Sequence, residues 1–167
     1  MRRNTTIYLI SFFLISLFIY SIREQGNAHD WLIKYGKRTT AKVSIKGSNI
    51  KYTYFVNGKP YTRVTSKPAV SLETGEQYEV LYDSSNADES IMLFDKPAIL
   101  DKKDFAVTWT TMVEEVSINE AIRFTYQVEG KEYERYQSLP SEVKFIESKD
   151  YKVLYQSKNP KVAYIVW

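Results

Sequence analysis

The sequence of 167 residues contains no cysteine and only one histidine, His29. A chain without cysteine has no disulfide framework, no thiol nucleophile and no cysteine-ligated metal or iron–sulfur centre. A chain with a single histidine lacks the parts of a multi-histidine metal site, and His29 lies next to a long apolar segment rather than among candidate partners for a Ser-His-Asp triad. The sequence therefore predicts a non-enzymatic protein with no catalytic residues, no metal and no cofactor.

Carboxylates are also missing from one long stretch of the chain. Between Trp31 and Leu72 there is no Asp or Glu, whereas nine basic residues occur there: Lys34, Lys37, Arg38, Lys42, Lys46, Lys51, Lys59, Arg63 and Lys67. The whole chain has a formal net charge of only +3, which does not predict nucleic acid as a partner. A local basic surface instead predicts contact with anionic lipid or wall polymer, or with an acidic protein surface.

A long apolar run near the N-terminus predicts a membrane segment. Residues 7–22 (IYLISFFLISLFIYSI) contain no charge, glycine or proline. A helix from Thr5 to the end of this run would span roughly 27 Å, which is close to the hydrocarbon thickness of a bilayer. Residues 1–26 are therefore predicted to form a single-pass signal-anchor in the cytoplasmic membrane. Because Arg2 and Arg3 precede the run, everything after it is expected outside that membrane.

A cleaved secretory signal is the alternative for the same segment. Gly26-Asn27-Ala28 offers the small residues that a signal peptidase requires, so cleavage near Ala28 would release a secreted protein. Arg23 and Glu24 fit such a cleavage region poorly, and the apolar run exceeds the usual length of about 7 to 15 residues for a signal core. Both alternatives stay open at the level of sequence.

The exported part repeats itself once. Residues 50–63 match residues 122–135 at an offset of 72, and residues 78–86 match residues 151–159 at an offset of 73. The matched residues are of both strand and turn type and keep their order, which indicates tandem duplication of one supersecondary unit. We expect a first β-domain over 31–94, a linker over 95–104 and a second β-domain over 105–167.

Each copy has the residue pattern of a small antiparallel β-domain. Apolar and polar residues alternate over 50–56 and 122–128, which is typical of strands buried on one face. Asn57-Gly58 and Glu129-Gly130 follow these strands and predict two-residue hairpin turns. The sequence thus predicts an all-β protein with about five strands per copy, arranged as a barrel or a sandwich. A unit of about 70 residues buries only about 60% of its surface, so docking of the two copies is expected to matter.

The repeated residues resemble a known family. The first copy contains the pattern Ala41-x-Val43, Tyr52-x-Tyr54-x-Val56-x-Gly58-x-x-Tyr61 and Tyr78-x-Val80-x-Tyr82-Asp83, and the second copy repeats much of it. This pattern resembles domain-of-unknown-function family three-five-nine-two. The resemblance implies small β-domains in membrane-associated or exported bacterial proteins and brings no catalytic residues. The chain departs from the family pattern at Ser85, Ala87 and Gln156, which affects the expected turn geometry.

The basic residues supply the candidate binding surface, which comprises Lys42, Lys46, Lys51, Lys59, Arg63, Lys131 and Arg135. Lys59 matches Lys131 and Arg63 matches Arg135, so we expect exposed charges at equivalent places of both copies. Solubilising charges on a hairpin would produce the same pattern. At the repeat offset, Lys42 corresponds to Glu114 and Thr62 to Glu134. Docking of the basic face onto the second domain of the same or another chain, including self-association, is therefore a further possibility.

The function predicted from these features is that of a membrane-anchored protein of the bacterial envelope. Its paired β-domains are expected to serve binding or assembly with a protein partner. Two alternatives remain compatible with the sequence: a toxin-neutralising immunity protein and an enzyme of unfamiliar type.

Overall fold

The computed structural model describes residues 28–47, 49–65, 70–99, 101–116, 121–147 and 149–167. It contains two five-stranded antiparallel sheets. Among the described residues there is no helix of the length and apolarity needed to cross a bilayer. The predicted anchor at residues 7–22 lies outside the described residues.

The first copy forms the first sheet. Its strands are β1 (Lys37–Lys46), β2 (Asn49–Val56), β3 (Lys59–Thr65), β4 (Gln77–Tyr82) and β5 (Ser90–Pro97), in the order β3-β2-β1-β4-β5. The predicted alternation is present, because Ala41 and Val43 of β1 and Tyr52 and Tyr54 of β2 are buried while their neighbours are not. These side chains fill the core on what we call the inner face of the sheet.

A short helix over 28–35 precedes β1 and lies against the opposite, outer face of the first sheet. Leu32 of the helix and Leu81 of β4 are both buried. The helix ends at Gly36, where a Cβ atom would come within 2.5 Å of the Leu32 carbonyl oxygen and 3.1 Å of Leu81 Cβ. Only glycine fits so close an approach between the helix end and the strand.

The second copy forms the second sheet with the same topology. A 3₁₀ turn at Lys102–Asp104 leads into β6 (Phe105–Val116), β7 (Ala121–Val128), β8 (Lys131–Ser138), β9 (Lys152–Gln156) and β10 (Asn159–Ile165), in the order β10-β9-β6-β7-β8. The prediction of two all-β units with five antiparallel strands each is confirmed. Strand β5 continues to Pro97, so the segment predicted as a linker over 95–104 begins inside a strand.

The two hairpin turns are equivalent in detail. Asn57 and Gly58 have φ angles of 51° and 78°, and Glu129 and Gly130 have φ angles of 53° and 77°. Positive φ at both central residues is the signature of a type I′ turn, whose twist matches that of the flanking strands. The predicted hairpins are therefore present in both copies.

Buried tyrosines also repeat between the copies. The Tyr54 and Tyr61 rings stack with centroids 5.7 Å apart, and the Tyr126 and Tyr133 rings do so at 5.6 Å. The Tyr54 hydroxyl donates to the Ala87 carbonyl, and the Tyr126 hydroxyl donates to the matching Pro160 carbonyl. Both Tyr54 and Tyr126 are fully buried. Tyr82 and Tyr155, which also match between the copies, are both partly buried.

The length of the connection between the first two strands changes which residues of β1 and β6 correspond. Lys46 at the end of β1 pairs with Asn49, whereas Val116 at the end of β6 pairs with Ala121, so the connection is two residues longer in the second copy. Lys42 pairs with Thr53, whereas the residue that pairs with the matching Thr125 is Met112. The predicted correspondence of Lys42 with Glu114 is therefore wrong, because the repeat offset in this strand differs from that of the hairpins.

Strand β10 is shared by the cores of both sheets. Val162 and Tyr164 pack with the buried residues of the first sheet, while Ala163 and Ile165 pack with those of the second sheet. The alternation of side chains along a strand places these two pairs on opposite faces. One strand of the second copy therefore completes the core of the first.

The second sheet also curls toward closure through its edge strands. The Gln137 side chain on β8 accepts a hydrogen bond from the Ile165 amide at 2.8 Å and donates to the Ile165 carbonyl at 3.4 Å. Gln137 is 5% exposed, so both of its polar groups find their partners on β10 in place of water.

We predict that truncating β10 on the side of the second core destabilises both sheets together. The change Ile165→Ala should cost about 2–5 kcal/mol of unfolding free energy, because it removes a buried aliphatic side chain. Amide hydrogen exchange checks this at Val43 in the first sheet and Phe124 in the second. We expect both amides to lose the same protection free energy. A loss confined to the second sheet would show that the two cores unfold independently.

Candidate functional site

The basic stretch forms an exposed surface on the first sheet. Lys42 and Lys46 of β1 alternate with buried residues, and Lys51 of β2 does the same, so the three side chains project from the outer face. Lys51 lies between Ser44 and Val64 in a row across β1, β2 and β3. We call this surface, bounded by Lys42, Lys46, Lys51, Phe55 and Val64, the basic face.

Uncovered apolar side chains border these lysines. Phe55 and Val64 are 60% and 65% exposed. In the alternation of side chains along β2 and β3, both point to the same outer face as Lys51. Cations beside exposed apolar groups can combine Coulomb attraction with apolar burial when a partner covers them. The geometry therefore fits a contact surface.

The positive charge of the basic face is not neutralised within the described part of the chain. Its three lysines form no ion pair there, and the neighbouring Arg38 pairs with Glu79 on β4 at 3.0 Å. Since no Asp or Glu occurs between Trp31 and Leu72, strands β1 to β3 carry no carboxylate of their own. An anionic partner would meet an unopposed positive potential.

The matching face of the second sheet carries its own counter-charges. Arg123 on β7 lies 2.7 Å from Glu114 on β6 and 3.5 Å from Glu134 on β8. By strand pairing, these places correspond to Lys51, Ser44 and Thr62 of the first sheet. Within the described chain, Glu114 and Glu134 pair with Arg123 and not with the lysines of the basic face, so docking of the basic face onto a second domain stays a prediction.

The remaining predicted residues lie elsewhere. Lys59 and Lys131 are exposed at the two hairpins, with their ammonium groups 5.1 Å and 5.2 Å from the ring centroids of Tyr61 and Tyr133. Arg63 is exposed on β3 opposite the inward-facing Tyr52, and so lies on the inner side of the sheet edge. The structure therefore divides the predicted set and brings only Lys42, Lys46 and Lys51 together on one face.

Arg135 is buried, which overturns the expectation of an exposed charge. It is 3% exposed, and its Nη2 lies 2.6 Å from Glu76 Oε1 of the first copy and 3.0 Å from the Ser71 carbonyl oxygen. Its Nη1 donates to the Lys161 carbonyl, and the guanidinium lies over the Tyr164 ring at 5.9 Å. The physical reason is that the two copies meet at this place, so the side chain that is exposed in the first copy is enclosed in the second.

Glu76 is equally buried and completes this junction. Its Oε2 accepts from the Glu73 amide at 2.8 Å and from the Tyr78 hydroxyl at 3.5 Å. Burial raises the pKa of Glu76, while the Arg135 guanidinium acts in the opposite direction. A second pair, Lys96 with Glu142 at 2.9 Å, crosses between the copies at the surface.

Residues 70–76 run beside the edge of β8. The Ser71 amide donates to the Tyr136 carbonyl at 2.9 Å, and the Tyr136 amide donates to Ser71 Oγ at 3.0 Å. The loop of the first copy therefore covers the edge strand of the second with hydrogen bonds to both backbone groups of Tyr136. The Arg135 to Glu76 ion pair lies at the end of the same contact.

A small cavity adjoins the junction. It has a volume of about 130 Å³ and is lined by side chains that include Glu76, Asp104 and Tyr164. Within the described ranges, no group of three His, Cys, Asp or Glu side chains is arranged to hold a metal ion.

No family model, no curated protein and no solved structure matches this chain. The resemblance to domain-of-unknown-function family three-five-nine-two therefore stays a prediction. The function has to be argued from the surfaces of the chain itself.

Sequence reasoning missed the junction between the copies. One signal was present: Glu76 stands two residues before Tyr78, and the residue two before the matching Tyr151 is Lys149. A charge that reverses sign within an otherwise faithful repeat marks a place where the copies have different neighbours. Arg135 gave no such signal, since Arg63 is the same residue type.

We predict that removing one partner of the buried pair strongly lowers the free energy of unfolding, whereas replacing both partners with apolar residues lowers it much less. Arg135→Met or Glu76→Leu alone should each lower the free energy of unfolding by about 3–5 kcal/mol, because each leaves a buried charge without its partner. The double variant should be markedly more stable than either single variant. Urea unfolding of the wild type, the two single variants and the double variant measures the coupling energy between Arg135 and Glu76.

The surface pair supplies the matched control for this cycle. The same cycle on Lys96 and Glu142 should give a much smaller coupling, because exposed ion pairs contribute little. Two cycles of equal size would contradict the assignment of the junction to Arg135 and Glu76.

Proposed function

We propose that the protein is a non-enzymatic, membrane-anchored protein of the bacterial envelope that binds an acidic protein partner through the basic face of its first sheet. The observation that carries the proposal is the difference between two sheets of identical topology. The second sheet pairs Arg123 with Glu114 and Glu134, whereas Lys42, Lys46 and Lys51 form no ion pair with the described residues and lie near exposed Phe55.

The arrangement of charges supports an anionic partner. Lys42, Lys46 and Lys51 belong to two adjacent strands, so their positions are fixed by the sheet rather than by a flexible loop. Three such cations speed association with an acidic surface and disfavour basic partners. Phe55 and Val64 would be removed from water in the same contact, at roughly 25 cal/mol for each Å² of apolar surface covered.

The short connection between the apolar run and the helix over 28–35 limits how far the basic face can lie from the membrane. Five residues, 23–27, separate residue 22 from the helix over 28–35. An extended chain covers at most about 3.6 Å per residue, so these residues reach roughly 18 Å. If the anchor is retained, the first sheet stays close to the bilayer. The proposed partner is therefore a membrane protein or a protein held at the membrane surface.

We predict that the C-terminus lies outside the cytoplasmic membrane and remains attached to it. A reporter fused after Trp167 that is active only in the exported state should be active, because residues 7–22 are uncharged and preceded by Arg2 and Arg3. Cell fractionation and N-terminal sequencing complete the test. Activity of a cytoplasmic reporter would reverse the topology, and a mature N-terminus near Ala28 would establish secretion in place of anchoring.

We predict that a photo-crosslinking amino acid at Lys51 captures one discrete protein in living cells. The same substitution at Lys158, an exposed lysine of the second copy, is the matched control and should capture none. Adding Lys42→Glu and Lys46→Glu should suppress the adduct, because the partner is attracted by their charge.

Two outcomes would contradict the proposed partner. Equal adducts at Lys51 and Lys158 would show that the basic face has no special role. Salt-sensitive binding of the chain to anionic vesicles, without a protein adduct, would assign the basic face to the lipid surface instead.

A further inference from the structure

Strands β3 and β8 are the same edge strand in the two copies, but they differ in what lies beside them. On β8, the amide and the carbonyl of Tyr136 point away from β7 and bond to Ser71. Arg135, one residue earlier, binds the carboxylate of Glu76. A segment that carries the hydroxyl of Ser71 and, after a turn over residues 73–76, the carboxylate of Glu76 therefore lies along this edge.

On β3, the same two positions are open to solvent. Val64 pairs with Lys51 as Tyr136 pairs with Arg123, so the Val64 amide and carbonyl also point away from the sheet. Val64 is 65% exposed, and Arg63 stands in the place of Arg135 and is exposed. In the described parts of the chain, Arg63 forms no ion pair and Val64 forms no hydrogen bond across this edge.

We propose that β3 is a docking edge for an acidic segment of a partner protein. The segment lies beside β3 as residues 70–76 lie beside β8. It bonds to the backbone of Val64 and places a carboxylate on Arg63. This inference rests on the proposed function, because it names the kind of segment that the acidic partner presents. Addition of a strand or extended segment to an exposed sheet edge is a common mode of peptide recognition.

The charges around β3 favour such a segment. Lys59 and Arg63 lie on the inner side of the strand, and Lys51 lies on the outer side beside Val64. Strands β1 to β3 hold no carboxylate that would repel an acidic segment. An arginine binds a carboxylate with directional, charge-assisted hydrogen bonds, as Arg135 does with Glu76.

A second copy of this chain is a poor occupant of the same edge. The loop that corresponds to residues 70–76 in the second copy carries Lys149 where the first copy has Glu76. Placed on β3 of another molecule, Lys149 would meet Arg63, and like charges repel. Repetition of the junction from one molecule to the next would build an open filament, and this charge reversal opposes it.

The test uses the full chain in detergent and a fluorescent peptide with the sequence of residues 70–77, VSLETGEQ. We expect the peptide to bind at low salt. Its affinity should fall by about tenfold or more when the glutamate that matches Glu76 is replaced by lysine, since a charge-assisted hydrogen bond contributes about 1.5–3 kcal/mol. Arg63→Gln in the protein should cause a similar loss.

Val64→Pro tests the backbone part of the contact. Proline removes an amide that points away from β2, so the sheet is expected to persist while the bond to the peptide is lost. Lys158→Gln, which removes one exposed cation from the second copy, should leave binding unchanged. Circular dichroism of each variant checks that the fold is retained.

Three results would overturn the proposal: no binding at low salt, binding insensitive to both Arg63→Gln and Val64→Pro, or loss of exchange protection at Tyr136. The last would mean that the peptide displaces the chain's own residues 70–76 from β8. A crosslink at Lys51 without peptide binding would support the basic face as a binding surface and contradict the docking edge at β3. Peptide binding without that crosslink would support the docking edge and contradict the basic face.

Discussion

Strand β10 is the element on which the rest of the structure depends. Its side chains alternate between two cores, with Val162 and Tyr164 facing the first sheet and Ala163 and Ile165 facing the second. A single copy of about 70 residues can bury only a modest fraction of its surface, and sharing a strand increases the burial available to both copies. The two sheets are therefore repeats in sequence but share one strand in packing.

The shared strand forces equivalent residues into different environments. Arg63 and Arg135 occupy the same place in their sheets, yet one is exposed and the other lies on Glu76 of the neighbouring copy. Leu81 and Leu154 also differ, for a reason within the first copy: the helix over 28–35 lies against Leu81, whereas Leu154 is only partly buried. Duplication supplied two similar sheets, and their contact made the positions unequal.

Local features of the fold followed from the sequence, whereas features that depend on contact between the copies did not. The alternation around Tyr54 and the Asn57-Gly58 turn are determined within a few residues, so the strands and hairpins were predictable. The connection from β6 to β7 is two residues longer than that from β1 to β2, and this difference altered the correspondence of Lys42. The burial of Arg135 requires knowledge of what covers β8, which a single repeat does not contain. For the candidate site, the lysines of β1 and β2 were identified correctly as exposed, but Arg63 lies on the other side of the sheet.

The buried pair at the junction favours one relative position of the two copies. An apolar contact would bury surface over a range of small displacements, because the hydrophobic effect has no direction. The Arg135 guanidinium instead needs Glu76, the Ser71 carbonyl and the Lys161 carbonyl at once, and any sliding would leave a buried charge unpaired. The pair thereby helps to hold residues 70–76 in their position beside β8. On β3, the equivalent residue Arg63 has no such partner within the described chain. The edge of β3 can therefore accept a segment of another protein.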